Sequence, residues 1–327
     1  MITGDLKNVL VTGGAGYVGS HVCKALATAG YSPICLDDLS TGHRELVKWG
    51  PLVECDLREP QQIEQALAGL DFMAVIHLAA RIDIAESIRD PLGFFALNVG
   101  GAINLMRVLN TRVKMPPIIF SSSAAVYGDS NLDTIAESSP LLPVTPYGTG
   151  KRIVEELLEY LWRRFEWSSL NLRYFNVAGA DPEGQTGEWH EPETHLIPRL
   201  LSAANGAEFE IFGDDYKTHD GTCVRDYVHV SDVADAHVQA LKLLLNRPQH
   251  GAYNIGYGRG FSVLEVLQAV ENVTGRKIHR KLSPRRPGDP PHLVADARKA
   301  AQAIGWEPRY AHRLESIVSH AWAWQQR

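Results

Sequence analysis

Short apolar runs alternate with longer amphipathic stretches through the first half of the chain, the pattern of a parallel sheet whose strands are joined by helices. Strands are expected at Asn8–Thr12, Ser32–Leu36, Leu52–Glu54, Ala74–Leu78, Ile118–Ser121 and Ser169–Arg173. Helical periodicity is strongest at Tyr17–Ala29, Glu59–Leu67, Pro91–Asn110 and Tyr147–Arg164. Each strand reads apolar on both faces, as a sheet covered by helices on both sides requires. Right-handed crossovers then produce a doubly wound α/β sheet, with a ligand crevice beyond the carboxyl ends of its strands.

After Gly179 the pattern loosens. Asp181–Thr194 is rich in Gly, Pro, Glu and Thr and reads as a surface loop. Beyond it, a helix is expected near Leu196–Ala204, a strand near Phe209–Phe212, and helices at Ser231–Leu245 and Ser262–Thr274. Ser231 and Ser262 each precede an apolar-periodic run and read as N-caps. Arg285-Arg286-Pro287-Gly288-Asp289-Pro290-Pro291 reads as a loop carrying two guanidinium groups. The division expected is a first domain over 1–178, to which roughly 228–258 return, and a smaller C-terminal α/β lobe over 179–327.

Composition narrows the classes. With 327 residues, 45% of them apolar, the chain is long enough for two domains with a large core. A net charge of -6 argues against nucleic acid as the main partner. Cys23, Cys35, Cys55 and Cys223 are scattered without metal-ligand spacing, and read as buried small hydrophobes in a reducing compartment. Met1 leads into a strand pattern without a cationic, long apolar leader, and no apolar run is expected to reach the roughly 20 residues of a membrane helix. A cytoplasmic protein with no membrane partner is the expectation.

Gly13, Gly16 and Gly19 stand between an expected strand and an expected helix. Missing Cβ atoms there permit a tight turn, close approach of backbone to phosphate and close helix–sheet packing. A dinucleotide pyrophosphate would sit on the free N–H groups at the positive end of the Tyr17–Ala29 helix. The first half is therefore read as Rossmann-like. Asp37 closes the second strand near the spacing of a ribose-binding acid, where it would also repel a 2′-phosphate. No basic residue follows until Arg44, so NAD is favoured over NADP. Asp38 fits a solvated acid equally well. Asp56, ending the third strand, could bind the adenine amino group with Leu57 packing on the ring, although a plain loop acid suits the spacing nearly as well.

Lys151 follows Tyr147 by four positions, on the same helical face. A free tyrosine titrates near 10, too high for a base at neutral pH. The ammonium, together with a positively charged nicotinamide, is expected to favour tyrosinate and lower that value. Ser121-Ser122-Ser123 ends a strand at the crevice, where a hydroxyl could reach both the tyrosine and a substrate oxygen.

The chain resembles the extended short-chain dehydrogenase/reductase family, and within it the UDP-sugar 4-epimerase branch. The resemblance rests on Val11-Thr12-Gly13-Gly14-Ala15-Gly16-Tyr17-Val18-Gly19, Phe120–Gly128, Thr145-Pro146-Tyr147-Gly148 and Leu172-Arg173-Tyr174-Phe175-Asn176. It continues through Ala178–Ala180, Ile211–Tyr216, Asp220–Val230 and Arg285–Asp289, so it covers nearly the whole chain. It implies that Tyr147 takes the proton from a sugar 4-hydroxyl while hydride leaves C4 for NAD, and that Ser123 supports the transfer. Lys151 would also hold the nicotinamide ribose. The implied cofactor contacts further include Tyr17, Val18, Leu78, Ala79, Ala80, Asn98, Ser121 and Tyr174. Phe175, Asn176, His195, Leu196, Phe212, Arg225, Arg286 and Asp289, with Ser123 and Tyr147, fall at UDP-sugar positions. The two arginines suit a diphosphate that must stay anchored while the 4-keto sugar rotates and is reduced on its other face. The expected substrate is a UDP-hexose, UDP-glucose or UDP-galactose, and no metal is expected.

Some positions depart from the family pattern. Ile82 stands where some members have a lysine, Ala125 where some have a threonine, and His195 where asparagine is common. Leu293 lies near a gate for N-acetylated sugars, so other UDP-sugars stay open as substrates. A sugar-nucleotide dehydratase or decarboxylase is a rival, but Ser122–Gly128 lacks the two carboxylates of the dehydratase motif. A non-catalytic NAD-sensing protein would not need Tyr147 and Lys151. Apolar positions Leu92, Phe95, Val99, Ile103 and Met106, with Ile153, Leu157 and Leu161, recur at helical spacing. Because such helices form the two-fold interface in related enzymes, a homodimer is expected.

Overall fold

The computed structural model describes residues 7–130, 132–286 and 289–327, so Pro287 and Gly288 of the expected arginine loop, and the start of the first domain, lie outside the described residues. Its centre is a seven-stranded sheet in the order β11-β6-β5-β4-β1-β2-β3, every pairing parallel. The strands are β1 (Asn8–Thr12), β2 (Ser32–Asp37), β3 (Leu52–Glu54), β4 (Ala74–His77), β5 (Ile118–Ser123) and β6 (Ser169–Tyr174), and β11 is given below. Order reverses at β1, where β2 and β3 lie on one side and β4 onward on the other, and the crevice opens at this switch point.

Alternation along each strand feeds two cores. Val9 and Val11 of β1 join Ile76, Ile119, Leu170 and Leu172 beneath α1 (Tyr17–Thr28), while Leu10 joins Leu36, Val75 and Phe120 beneath α2 (Pro60–Leu67) on the other face. The outer strand departs from the expected two-faced burial: Leu52 and Val53 are half-buried and Glu54 is exposed, because β3 is a sheet edge.

The expected helix Pro91–Asn110 is present over Pro91–Leu109, but a π-turn interrupts its α-helical period. After α3 (Ile84–Arg89), it divides into α4 (Pro91–Phe95), a π-turn over Ala96–Gly100 and α5 (Gly101–Leu109). The widened turn rotates the second half relative to the first, so the expected apolar stripe does not hold one face. Leu92 is 82% exposed, whereas Met106 is buried in the core. Against the expectation that no run is long enough, the 19 residues Pro91–Leu109 are long and apolar enough to cross a bilayer by length and composition alone. The segment nevertheless packs on α2 and α6 (Pro146–Phe165), and buries Asn98 at its middle.

Past β6 the chain leaves the sheet through β7 (Asn176–Ala178) and builds a second core from α7 (Leu196–Ala204), β8 (Phe209–Phe212), α9 (Val263–Thr274) and α11 (Leu314–Gln325). Between them run β9 (Val224–Arg225), β10 (Tyr227–His229), α8 (Val230–Asn246), β11 (His250–Ile255) and β12 (Phe261–Ser262). Later come β13 (Arg280–Ser283), β14 (His292–Leu293) and α10 (Arg298–Ile304). α8 packs on α1, and β11 extends the main sheet beside β6. Ser262 caps α9 in a reciprocal capping box with Glu265. Ser231 does not cap α8: the helix starts one residue earlier, and His229 supplies its ring nitrogen to the Ser231 N–H at 3.0 Å.

The Asp181–Thr194 stretch is a loop as expected, with residues such as Glu183, Trp189 and Glu191 exposed, but it is tied down at its start. Asp181 and Thr186 are buried, because Lys24 of α1 pairs with Asp181 at 2.8 Å and Ser20 bonds Thr186 at 2.6 Å.

Candidate active site

Gly13 takes a positive φ of 71°, and a Cβ there would meet the Ala79 nitrogen at 2.7 Å. A Cβ at Gly19 would meet the Gly13 oxygen at 2.0 Å, so two glycines let the turn, α1 and the end of β4 close on one another. Gly16 is the N-cap of α1 and provides no side-chain cap, which leaves the first-turn N–H groups around Tyr17 and Val18 for an anion. The Tyr17 hydroxyl is engaged elsewhere, donating to the Gly179 carbonyl at 2.6 Å.

Asp37 accepts from Ala15 N–H at 3.0 Å and Leu39 N–H at 2.9 Å, which aims its buried carboxylate at the glycine turn. Burial raises its pKa against the lowering by those two donors. Asp38 is exposed and caps a local turn through Ser40. Asp56 is held by a fork from Arg58, whose Nε lies 2.9 Å and terminal nitrogen 2.6 Å from Oδ2, and the pairing lowers its pKa. Leu57 packs at Gly101. Leu78, Ala79 and Ala80 follow β4, half-buried.

Asn98 sits in the π-turn, a frequent signature of functional helices. Its amide is spent at both ends on the Arg81 backbone, at 2.9 Å each way. The sequence reading made it a cofactor contact; here it fixes the loop after β4, which carries the exposed Ile82.

The residues expected to transfer a proton lie on β5 and α6, beside β6. Thr145 caps α6, and Tyr147 and Lys151 follow on one face. The Tyr147 ring is half-buried, and the nearby Ser123 hydroxyl acts to lower its pKa. Ser123 ends β5 and also accepts from Ala125 N–H at 3.2 Å. Lys151 is buried, donates to the Ser121 carbonyl at 2.6 Å and lies 5.8 Å from the Tyr147 ring centroid. Its pKa is pushed down to about 7 by burial. Tyr147, expected to be lowered, is instead raised by burial, with the Ser123 hydroxyl pulling the other way. Desolvation outweighs a lysine that is itself partly discharged.

The Tyr174 hydroxyl donates to His237 Nε2 at 2.5 Å, and burial raises its pKa against a lowering by the Ser121 hydroxyl. The other His237 nitrogen faces the Val233 carbonyl at 2.9 Å, and this fixes the tautomer. Burial lowers the His237 pKa to about 4, keeping it neutral. Nothing in the sequence singled out His237, which reads as one more polar residue in an amphipathic helix.

The strand end at Tyr174 leads directly to the substrate-side group. Phe175 is buried with its N–H on Ile255, and Asn176 pairs with Tyr227, which places it beside Arg225. Arg225 donates to Asp289 at 3.0 Å, and the Arg286 guanidinium lies 3.8 Å over the Phe212 ring. Parallel pairing of β14 with β9 sets Leu293 opposite Arg225. His195 is the N-cap residue of α7, followed by half-buried Leu196, and its Nδ1 bonds Glu188. Pairing with Glu188 raises its pKa against the lowering effect of burial. Ala125 has its carbonyl against Gly148, where a Cβ would approach to 2.4 Å.

Residues 9–256 match the family model described as the NAD dependent epimerase/dehydratase family. The chain is 46% identical, over 98% of both proteins, to a UDP-glucose 4-epimerase of Rhizobium meliloti (strain 1021). Among solved structures it is similar to UDP-glucose 4-epimerase from Brucella ovis in complex with NAD, at 42% identity and a TM-score of 0.92 over 97% of this chain and 98% of that one. It is also similar to the Bifidobacterium longum enzyme in complex with NAD+ and UDP, at 34% identity and a TM-score of 0.92 over 98% of each chain.

Proposed function

The chain belongs to the NAD dependent epimerase/dehydratase family, and on that premise we propose that it interconverts UDP-glucose and UDP-galactose by transient oxidation at C4. The observation that carries this reading is the placement of Tyr147 and Lys151 one turn apart on α6, with Lys151 buried and donating to the Ser121 carbonyl near the end of β5. The uncapped α1 terminus, the glycine turn that side chains would fill and the inward Asp37 fit NAD. When bound, NAD takes hydride from C4 and gives it back, so the reaction has no net redox change.

The residues of the chain divide the remaining tasks. Gly13, Gly16, Tyr17, Val18 and Gly19 offer backbone to the pyrophosphate, and Asp37 accepts from the ribose. Tyr147 removes the proton of the 4-hydroxyl and later returns it, with Ser123 holding the phenol in line. Lys151 holds the nicotinamide ribose and supplies positive charge beside the phenol. Arg225, Arg286 and Asp289 anchor the UDP, Phe212 and Leu196 wall its base, and Asn176 and His195 bond its polar edge. A grip on the nucleotide with few groups on the hexose leaves the 4-keto sugar free to turn.

Residues 1–178 with roughly 228–258 form the NAD-binding domain in this reading, and the rest is mainly the UDP-sugar lobe. A cytoplasmic homodimer is part of it, supported by the exposed apolar side chains of Leu92, Ile103 and Ile153. The test is conversion of UDP-galactose by purified protein, with UDP-N-acetylgalactosamine and UDP-galacturonate compared. Tyr147→Phe is expected to lower kcat by roughly 10²–10⁴-fold; near-normal turnover by that variant rejects the assigned base.

A further inference from the structure

Four side chains able to ligate metals lie within eight residues ahead of α7: Glu188, His190, Glu193 and His195. One donor atom from each lies within 4.8 Å of all the others. His190 Nδ1 is 3.3 Å from Glu188 Oε1 and 3.8 Å from Glu193 Oε2, and His195 Nδ1 is 3.6 Å from Glu193 Oε1. Zinc bonds of about 2.0–2.1 Å in tetrahedral geometry set donor–donor edges near 3.4 Å. The edges from His190 Nδ1 to Glu188 Oε1 and Glu193 Oε2, 3.3 and 3.8 Å, fall close to that value. The Glu188–His195 edge is a direct hydrogen bond and must open slightly to admit an ion.

Burial separates this group from an ordinary surface cluster. The Glu188 side chain is 5% exposed, and His190 Nδ1 is enclosed without a hydrogen-bond partner. Two neutral imidazoles, two carboxylates and a divalent ion sum to zero charge, which suits a buried site. The Glu193 carboxylate is oriented from outside, since its Oε1 accepts from the N–H groups of Thr194 and His195 at 2.7 Å each.

We propose that Glu188, His190, Glu193 and His195 bind a divalent transition-metal ion of the zinc class. Paired imidazoles select such an ion over magnesium or calcium, and four protein ligands make the site closed and structural. The ion staples a segment that touches α1, the loop after β2 and α11. Trp189 stacks on His43 at 3.9 Å, His190 meets the Tyr17 ring edge at 6.1 Å, and the Glu188 carbonyl accepts from Trp324 of α11 at 2.9 Å. His195 then opens α7. Ligation through His195 Nδ1 leaves its Nε2 for the diphosphate side, so the ion also orients that imidazole.

The test uses the full chain, stripped with a chelator, incubated with Zn2+ alone and gel-filtered. About one zinc per chain is expected to remain, and Co2+ in its place should give the intense visible bands of a four-coordinate site. His190→Ala and Glu193→Gln are expected to weaken zinc binding by roughly 10–100-fold or more and to lose the cobalt bands while still binding NAD, which shows that they fold. His219→Ala, at an exposed His/acid pair elsewhere, should retain the ion. Substoichiometric zinc in the parent protein, or equal retention by His190→Ala and Glu193→Gln, overturns the proposal.

Discussion

Two buried charges stand one turn apart on α6 and are treated in opposite ways. Glu155 is met by a bidentate Arg173, with Nε at 2.9 Å and a terminal nitrogen at 2.6 Å, and by the Ser122 hydroxyl. Arg173 in turn reaches Tyr127, which bonds Asn254 at 2.6 Å, so every member of this network has a partner. Lys151 is as deeply buried, yet its ammonium has one carbonyl and two aromatic rings for company. Its charge is left under-compensated, and its pKa falls to about 7 as a result. A satisfied buried charge holds a structure together, whereas an unsatisfied one is kept for what will be bound beside it.

Removing each group should separate these roles. Lys151→Met is expected to cut kcat by roughly 10²–10⁴-fold with stability unchanged or increased, read by turnover and thermal melting. Loss of stability in step with activity would make Lys151 structural. Glu155→Ala leaves Arg173 buried and unpaired, and should cost about 3–5 kcal/mol of stability, measured by denaturant unfolding. Retention of near-parental stability would mean that water or a neighbour compensates the guanidinium.

Titration gives a smaller effect with a definite sign. Burial pushes Lys151 down to about 7 from the ordinary 10.5 of a lysine, so the unfolded state binds more protons between those limits. Stability should therefore rise with pH through that window, and the burial penalty is full below pH 7. The parent should gain about 1–2 kcal/mol on Lys151→Met between pH 7 and 9, and a pH-independent difference would contradict the depressed pKa. The smallest effect belongs to the outer end of the same helix, where Glu159 and Arg163 form an exposed i,i+4 pair. Glu159→Gln should change stability by no more than about 0.5 kcal/mol. A larger loss would show that position on α6, rather than burial, decides the cost.

The legible and illegible parts of the site follow the same division. Gly13, Gly16, Gly19, Tyr147 and Lys151 belong to short segments whose spacing fixes their geometry, and strand ends such as Ser123 and Asp37 follow from periodicity. His237 and the Glu155–Arg173 pair gave no signal, because their partners come from distant strands. Asn98 was picked out, but its engagement with Arg81 depends on a π-turn that periodicity does not reveal. The segment from Asp181 was read correctly as a loop, but the burial of Asp181 and Thr186 gave no signal, because composition does not report that Lys24 and Ser20 wait on a neighbouring helix.

By itself, the sequence determined the strand and helix succession, the anion-binding turn and the pairing of a phenol with an amine one turn later. These are local consequences of backbone freedom and side-chain period. Only the tertiary structure decided which charges are paired, which way pKa values move, and that Arg225 meets Asp289 while Arg286 meets Phe212. Desolvation and ion pairing depend on atoms brought together across the whole chain, and no local pattern encodes their distances.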